Sequence, residues 1–256
     1  MAVVLQLSDI HHPAAQGERV FGLDTAERLL RVIASATEVA PRVDLVVLSG
    51  DQTHHGGEES NQAVRDVVAA LDAPILALRG NHDELVPHSR VFGDSKEAEV
   101  GGWRVLAVDT AVAGEDYGRI DVAALMARLD ARDERPTLLA VHHPPVPPTA
   151  HPSFRLEGAQ ALLDALLRRP HLKAVISGHV HAPFERGRRG LKLLGCPPTS
   201  VNVTHTAAGL ELAPERPVGA RLLVLTPRPS VHTTIAWHRL TPSFAAGMTV
   251  AMPKAD

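Results

Sequence analysis

Five short polar motifs hold most of the residues in this chain that could do chemistry. They are Asp9-x-His11, Gly50-Asp51, Gly80-Asn81-His82-Asp83, His142-His143 and Gly178-His179-Val180-His181. Together they offer carboxylate, imidazole and amide oxygen. That mixture suits Zn, Fe, Mn, Co or Ni better than Mg or Ca, which prefer all-oxygen shells. Asp9, His11, Asp51, Asn81, His142, His179 and His181 make seven donors, too many for one open site. They fit two divalent ions sharing a bridging ligand, about 3.5–4 Å apart as in two-metal phosphoryl hydrolases. Two such ions lower the pKa of a bridging water and make hydroxide available near neutral pH. The ligand types leave the metal's identity open.

The motifs need elements to position them, and each begins where a predicted strand ends. Strands are expected over residues 3–8, 44–49, 74–78, 103–109, 137–141 and 172–177. Helices are expected over 24–39, 60–71, 122 to about 132, and 157–169. Asp24 can cap the first helix, with Glu27 three residues on and Leu29, Leu30, Ile33 and Ala36 along one face. Strands spaced by amphipathic helices argue for an α/β architecture with mostly parallel pairing. Ligands in such sheets bind outside the carboxyl ends of the strands, where the five motif loops can converge. Glycines before Asp51, Asn81 and His179 let the chain turn sharply off the strand. Beyond residue 185 the expected strands (191–194, 201–204, 220–226 and 231–237) have little helix between them. They read as an antiparallel stretch completing a second sheet. One domain over residues 1–240 is expected, with 241–256 a loosely held tail.

Composition removes several function classes. The 256 residues carry a formal charge of -3, which leaves no basic footprint for a nucleic-acid duplex. There are 15 His but only 5 Phe, 2 Trp and 1 Tyr, so little is available for base stacking. The single Cys196 excludes an internal disulfide and reads as a small buried hydrophobe. No apolar run is long enough for a membrane span, and residues 2–7 are too short for a signal segment. A cytoplasmic monomer or small homo-oligomer is therefore expected, without a membrane partner.

In this order the five motifs resemble those of the calcineurin-like metallophosphoesterases, from Asp9 to His181 and more weakly to about residue 237. The resemblance implies two facing mixed β-sheets flanked by helices, a four-layer α/β/β/α sandwich. It also implies roles. One ion would take Asp9, His11, Asp51 and His181; the other would take Asp51, Asn81, His142 and His179, with Asp51 bridging. His82 would hydrogen-bond the phosphate or leaving oxygen, and Asp83 would orient its ring. His143 and His54 are candidates for the substrate rim, with His12 and His55 nearby. His88, His151, His171, His205, His232 and His238 read as ordinary surface or core positions, and Trp103 and Trp237 as packing residues.

Departures from the patterns of particular subgroups narrow the activity. Gly50-Asp51-Gln52-Thr53-His54-His55-Gly56 lacks the phosphate-gripping Arg of the Ser/Thr protein phosphatases. Leu7-Ser8-Asp9-Ile10-His11, His142-His143-Pro144-Pro145 and Pro197-Pro198-Thr199-Ser200 resemble the class III cyclic nucleotide phosphodiesterases instead. That resemblance implies a metal-dependent hydrolase of a small phosphodiester, with cyclic AMP the leading substrate. The alternatives are a broad phosphodiesterase or phosphomonoesterase acting on glycerophosphodiesters or nucleotides, and a catalytically silent scaffold of the same fold.

Overall fold

The computed structural model describes residues 1–130, 134–206 and 209–238. In chain order the elements are β1 (Ala2–Leu7), α1 (Thr25–Val39), β2 (Leu45–Ser49), α2 (Glu58–Ala69), β3 (Ile75–Leu78), α3 (Leu85–Phe92), β4 (Glu97–Val100) and β5 (Trp103–Val108). There follow β6 (Gly118–Arg119), α4 (Val122–Asp130), β7 (Thr137–Val141), β8 (Leu156–Glu157), α5 (Ala159–Leu166), β9 (Leu172–Ser177), β10 (Phe184–Arg188) and β11 (Leu191–Gly195). The chain continues with β12 (Asn202–Thr206), β13 (Gly209–Ala213), β14 (Val218–Leu225) and β15 (Val231–His238).

Two mixed sheets result, ordered β15-β14-β1-β2-β3 and β10-β11-β9-β7-β5-β4. β1, β2 and β3 run parallel in the first sheet, and β5, β7, β9 and β11 in the second. Their strands are buried on both faces, which is why residues 45–48 read as an unbroken apolar run rather than an alternation. One face of each sheet meets the other sheet: Val4, Val47 and Leu78 pack with Val105, Leu138, Ala140 and Ile176. The outer face of the first sheet (Leu5, Leu7, Val46 and Leu48) takes Leu29 and Val32 of α1 and Val64 and Val68 of α2. The outer face of the second (Leu106, Leu139 and Val175) takes Leu125 and Leu129 of α4 and Leu162 and Leu166 of α5. The four layers are thus α/β/β/α, as expected. Asp24 caps α1 by accepting the Glu27 N–H at 2.9 Å.

Some expectations need correction. The strands after residue 185 do not complete one sheet. β10 and β11 extend the second, with β11 parallel to β9; β14 and β15 join the first beside β1; β12 and β13 form a separate hairpin. The last long helix starts at Ala159 rather than 157, because Leu156–Glu157 pairs with Gly118–Arg119 and Gly158 turns the chain at φ +89°. Trp103 is buried, whereas Trp237 on the edge strand β15 is 41% exposed. The C-terminal end expected for α4 and the proposed 241–256 tail lie outside the described residues. No helix among the described residues is long and apolar enough to cross a membrane.

Leu138, fully buried between the sheets, tests this packing. Leu138→Ala is expected to lower unfolding stability by about 2–5 kcal/mol in urea denaturation; a change under about 1 kcal/mol would show that the inter-sheet core is not tightly packed.

Candidate metal centre

The first three motif loops leave β1, β2 and β3, neighbours in one sheet. The last two leave β7 and β9, neighbours in the other. All five meet at the carboxyl ends of the parallel strands, where the two sheets face each other. The β1–β2 pairing continues past the strands as a backbone ladder: Asp9 N–H donates to Gly50 O, Ile10 and His11 N–H to Asp51 O, and His12 N–H to Gln52 O. The 197–200 loop closes the other side, its Ser200 hydroxyl donating to Asp9 O at 2.6 Å.

Five of the seven candidate ligands, Asp9, His11, Asp51, His179 and His181, have φ between +46° and +72°. Such conformations cost roughly 1–2 kcal/mol per non-glycine residue and persist only where the surroundings impose them. They turn each side chain inward within the loop that follows its strand. Glycines make room: a Cβ on Gly50 would collide with the His142 ring, and one on Gly80 with the Asp51 carboxylate.

The donor atoms crowd as ligand atoms do. His11 Nε2 lies 3.0 Å from His181 Nε2 and 3.6 Å from Asp51 Oδ2. His142 Nε2 lies 3.4 Å from the same Asp51 oxygen and 3.2 Å from Asn81 Oδ1. His181 Nε2 lies 3.6 Å from Asp9 Oδ1. Atoms about 2.1 Å from one tetrahedral ion lie about 3.4 Å apart, so the spacing fits shared ions. Asp9 Oδ2 is buried with no hydrogen-bond partner, a further free donor. Asp9, His11, Asp51 and His181 form one group able to hold an ion.

The ring nitrogens turned away from the centre are also accounted for. His142 Nδ1 donates to Ser49 O at 2.8 Å, His179 Nε2 to Ser153 O at 2.8 Å, and His181 Nδ1 to Val201 O at 2.7 Å. A carbonyl only accepts, so each bond fixes the tautomer and leaves the other nitrogen for a metal. The motifs gave no sign of these three acceptors, nor of Phe21 and Phe154. The Phe21 ring centroid lies 5.1 Å from that of His11, and the Phe154 centroid 5.4 Å from that of His179.

Charge follows from burial. Burial pushes the Asp9 carboxyl up, against His181 and His142. Burial also opposes ionisation of Asp51, but His142, His82 and His11 outweigh it and hold that carboxyl well below the ordinary range. Burial alone would lower His142; Asp51 and Asp9 lift it to about 9. Burial holds His11 and His179 well below the ordinary imidazole value. In the metal-free chain the His142 proton therefore balances charge that bound ions would otherwise balance.

Two expected roles change. Asp83 does not orient the His82 ring, whose Nδ1 is buried without a partner. Its carboxylate instead accepts the N–H groups of Gln52, Thr53 and Gly80 at 2.9–3.1 Å, tying the second and third loops together. Burial, with Asp51 adding, raises it to about 6. His143 is not at the rim: it is fully buried, with Nδ1 2.8 Å from Thr110 Oγ1 and Nε2 donating to Asp116 O at 3.0 Å. It stands near His142 and His179, but both its nitrogens are engaged in hydrogen bonds. His54 does lie at the site, its ring centroid 5.0 Å from that of His82 and nearly parallel at 22°. His82 is half-buried beside His11, with ring centroids 4.8 Å apart, and its N–H donates to Asp51 Oδ1 at 3.0 Å.

The calcineurin-like phosphoesterase family matches residues 2–183. The 3′,5′-cyclic adenosine monophosphate phosphodiesterase CpdA of Pseudomonas aeruginosa is 36% identical over 208 residues, 78% of this chain and 76% of that protein. A 3′,5′-cyclic-nucleotide phosphodiesterase of Nostoc sp. is 29% identical over 232 residues, 87% of each. The crystal structure of a dimetal phosphatase from Danio rerio shares the fold at TM-score 0.63, with 14% identity over 92% of this chain and 99% of that one.

Gly80 gives a sharp test of the crowding. Gly80→Ala is expected to cut bound metal from about two ions per chain to below one, read by elemental analysis. Gly57→Ala, where a Cβ meets nothing within 4 Å, should leave it unchanged. Full metal retention in Gly80→Ala would contradict the described contact with Asp51.

Proposed function

Since the chain belongs to the calcineurin-like phosphoesterase family, we propose that it hydrolyses a P–O bond of a small phosphodiester on two divalent ions, with 3′,5′-cyclic AMP the leading substrate. One observation carries the reading: Asp51 Oδ2 lies within 3.6 Å of His11 Nε2 on one side and 3.4 Å of His142 Nε2 on the other. A single carboxylate is thereby shared by two donor groups. The named activities of the relatives from Pseudomonas aeruginosa and Nostoc support the cyclic nucleotide over other diesters.

Asp9, His11, Asp51 and His181 would hold the first ion, and Asp51, Asn81, His142 and His179 the second. When bound, such ions supply a nucleophile from water near neutral pH and neutralise charge on the phosphoryl group. The chain's own residues supply the geometry. The His82 backbone N–H holds Asp51 by its Oδ1 atom, leaving Oδ2 for the centre. The His82 ring, beside His11, would donate to a phosphoryl or leaving oxygen as charge grows there. Asp83 keeps His82 in register by fastening Gly80 to residues 52 and 53. A diffusible substrate, a cytoplasmic location, a monomer or small homo-oligomer, and no duplex or membrane partner complete the proposal.

The test is a substrate panel with Mn²⁺: cyclic AMP, bis(p-nitrophenyl) phosphate and p-nitrophenyl phosphate. Both diesters should turn over faster than the monoester. Cyclic AMP should be preferred over the aryl diester by less than about a thousandfold, since few aromatics are available to grip a base. Asp51→Ala should lose both ions and nearly all activity. His82→Ala should keep both ions and slow about a hundredfold. No turnover with any divalent ion would favour a silent scaffold, a faster monoester a phosphomonoesterase, and equal metal loss in both variants a ligand role for His82.

A further inference from the structure

Three of the four candidate histidine ligands hand their outward ring nitrogen to a backbone carbonyl, and His11 departs from that pattern. Its Nε2 faces the centre, 3.0 Å from His181 Nε2. Its Nδ1 meets the Nδ1 of His54 at 3.2 Å. We infer that His54 is a positioning residue for the first ion, accepting the Nδ1–H of His11 and so holding that ring in its ligating tautomer. The inference rests on the two-ion reading above and adds to it a residue outside the seven ligands.

The contact is built, not incidental. The His54 N–H donates to His12 O at 3.0 Å, one step beyond the ladder that registers the first loop against the second. The imidazole lies between neighbours that fix its plane: its centroid is 5.0 Å from that of His82, nearly parallel, and 5.0 Å from that of Phe21, edge-on. With its proton on Nε2, a neutral His54 presents the Nδ1 lone pair to His11. It does for His11 what the carbonyls of Ser49, Ser153 and Val201 do for the other three.

A third ion on the same atoms is the competing arrangement, since His11, His54 and His82 lie close enough to hold one. Chemistry disfavours it. A neutral imidazole has one free lone pair, and His11 would have to bind ions through both nitrogens and give up its proton. Partners of this kind typically contribute about 10–100-fold to metal affinity when removed.

The experiment measures Zn²⁺ binding to the full chain by competition with a chromogenic chelator, with circular dichroism of the metal-free proteins as the folding control. His54→Ala and His54→Phe should weaken one of the two ions about 10–100-fold and spare the other. Phe keeps a ring against His82 but cannot accept a hydrogen bond. His54→Asn places Oδ1 where Nδ1 stood and should restore binding to near the wild-type value. The inference is overturned if His54→Ala binds both ions like the wild type, if His54→Asn fails as badly as His54→Ala, or if the wild type binds a third ion that His54→Ala lacks. A wild type that holds fewer than two ions would overturn the two-ion reading itself, and the inference with it.

Discussion

Asp9 and Asp51 are carboxylates removed almost wholly from water, and the structure is organised around that fact. An ionised carboxylate in a dry interior costs several kcal/mol unless cations and donors surround it. Among the described residues, the basic side chains found against these two carboxylates are all histidines: His11 and His142 for Asp51, His181 for Asp9. No lysine or arginine takes that place. The site therefore has a standing demand for positive charge, which a proton on His142 meets in part and which divalent ions would meet in full. A structural salt bridge would have supplied its own cation; this arrangement leaves the place for one that must bind.

Meeting that demand constrains the backbone nearby. Five candidate ligands are held in the left-handed region, at a combined cost comparable to much of a domain's net stability. The two-sheet core and the ladder between the first two loops hold them there, and Asp83 fastens the third loop to the second. The glycines at 50 and 80 belong to the same solution, because a side chain at either would occupy space already taken by His142 or Asp51. The strain and the fit are inseparable: each of these five candidate ligands reaches the centre because its backbone turns in the loop that follows the strand.

Much of this could be read in the chain. The parallel strands showed as apolar runs because they are buried on both sides. The candidate ligands stood out because metal chemistry restricts residue type and their loops begin where strands end. What could not be read depends on contacts far apart in sequence. Whether β14 lies beside β1 or completes the other sheet is a choice of strand partner, and local periodicity is the same either way. Asp83 sits next to His82 in sequence, which suggests a shared role, yet its carboxylate turns back to Gln52 and Thr53. His143 neighbours a ligand and precedes prolines, yet it is buried against Thr110 and Gly118. The carbonyls of Ser49, Ser153 and Val201 had no signature, because a backbone acceptor is independent of residue type.

Asp51 is proposed to stand between two metal ions. Anomalous diffraction from crystals of the wild-type chain grown with Mn²⁺ tests it most directly. Two peaks are expected about 3.5–4 Å apart on either side of the Asp51 carboxylate, one reached by His11 and His181 and the other by His142 and His179. A single peak, or two that do not share Asp51, would contradict it.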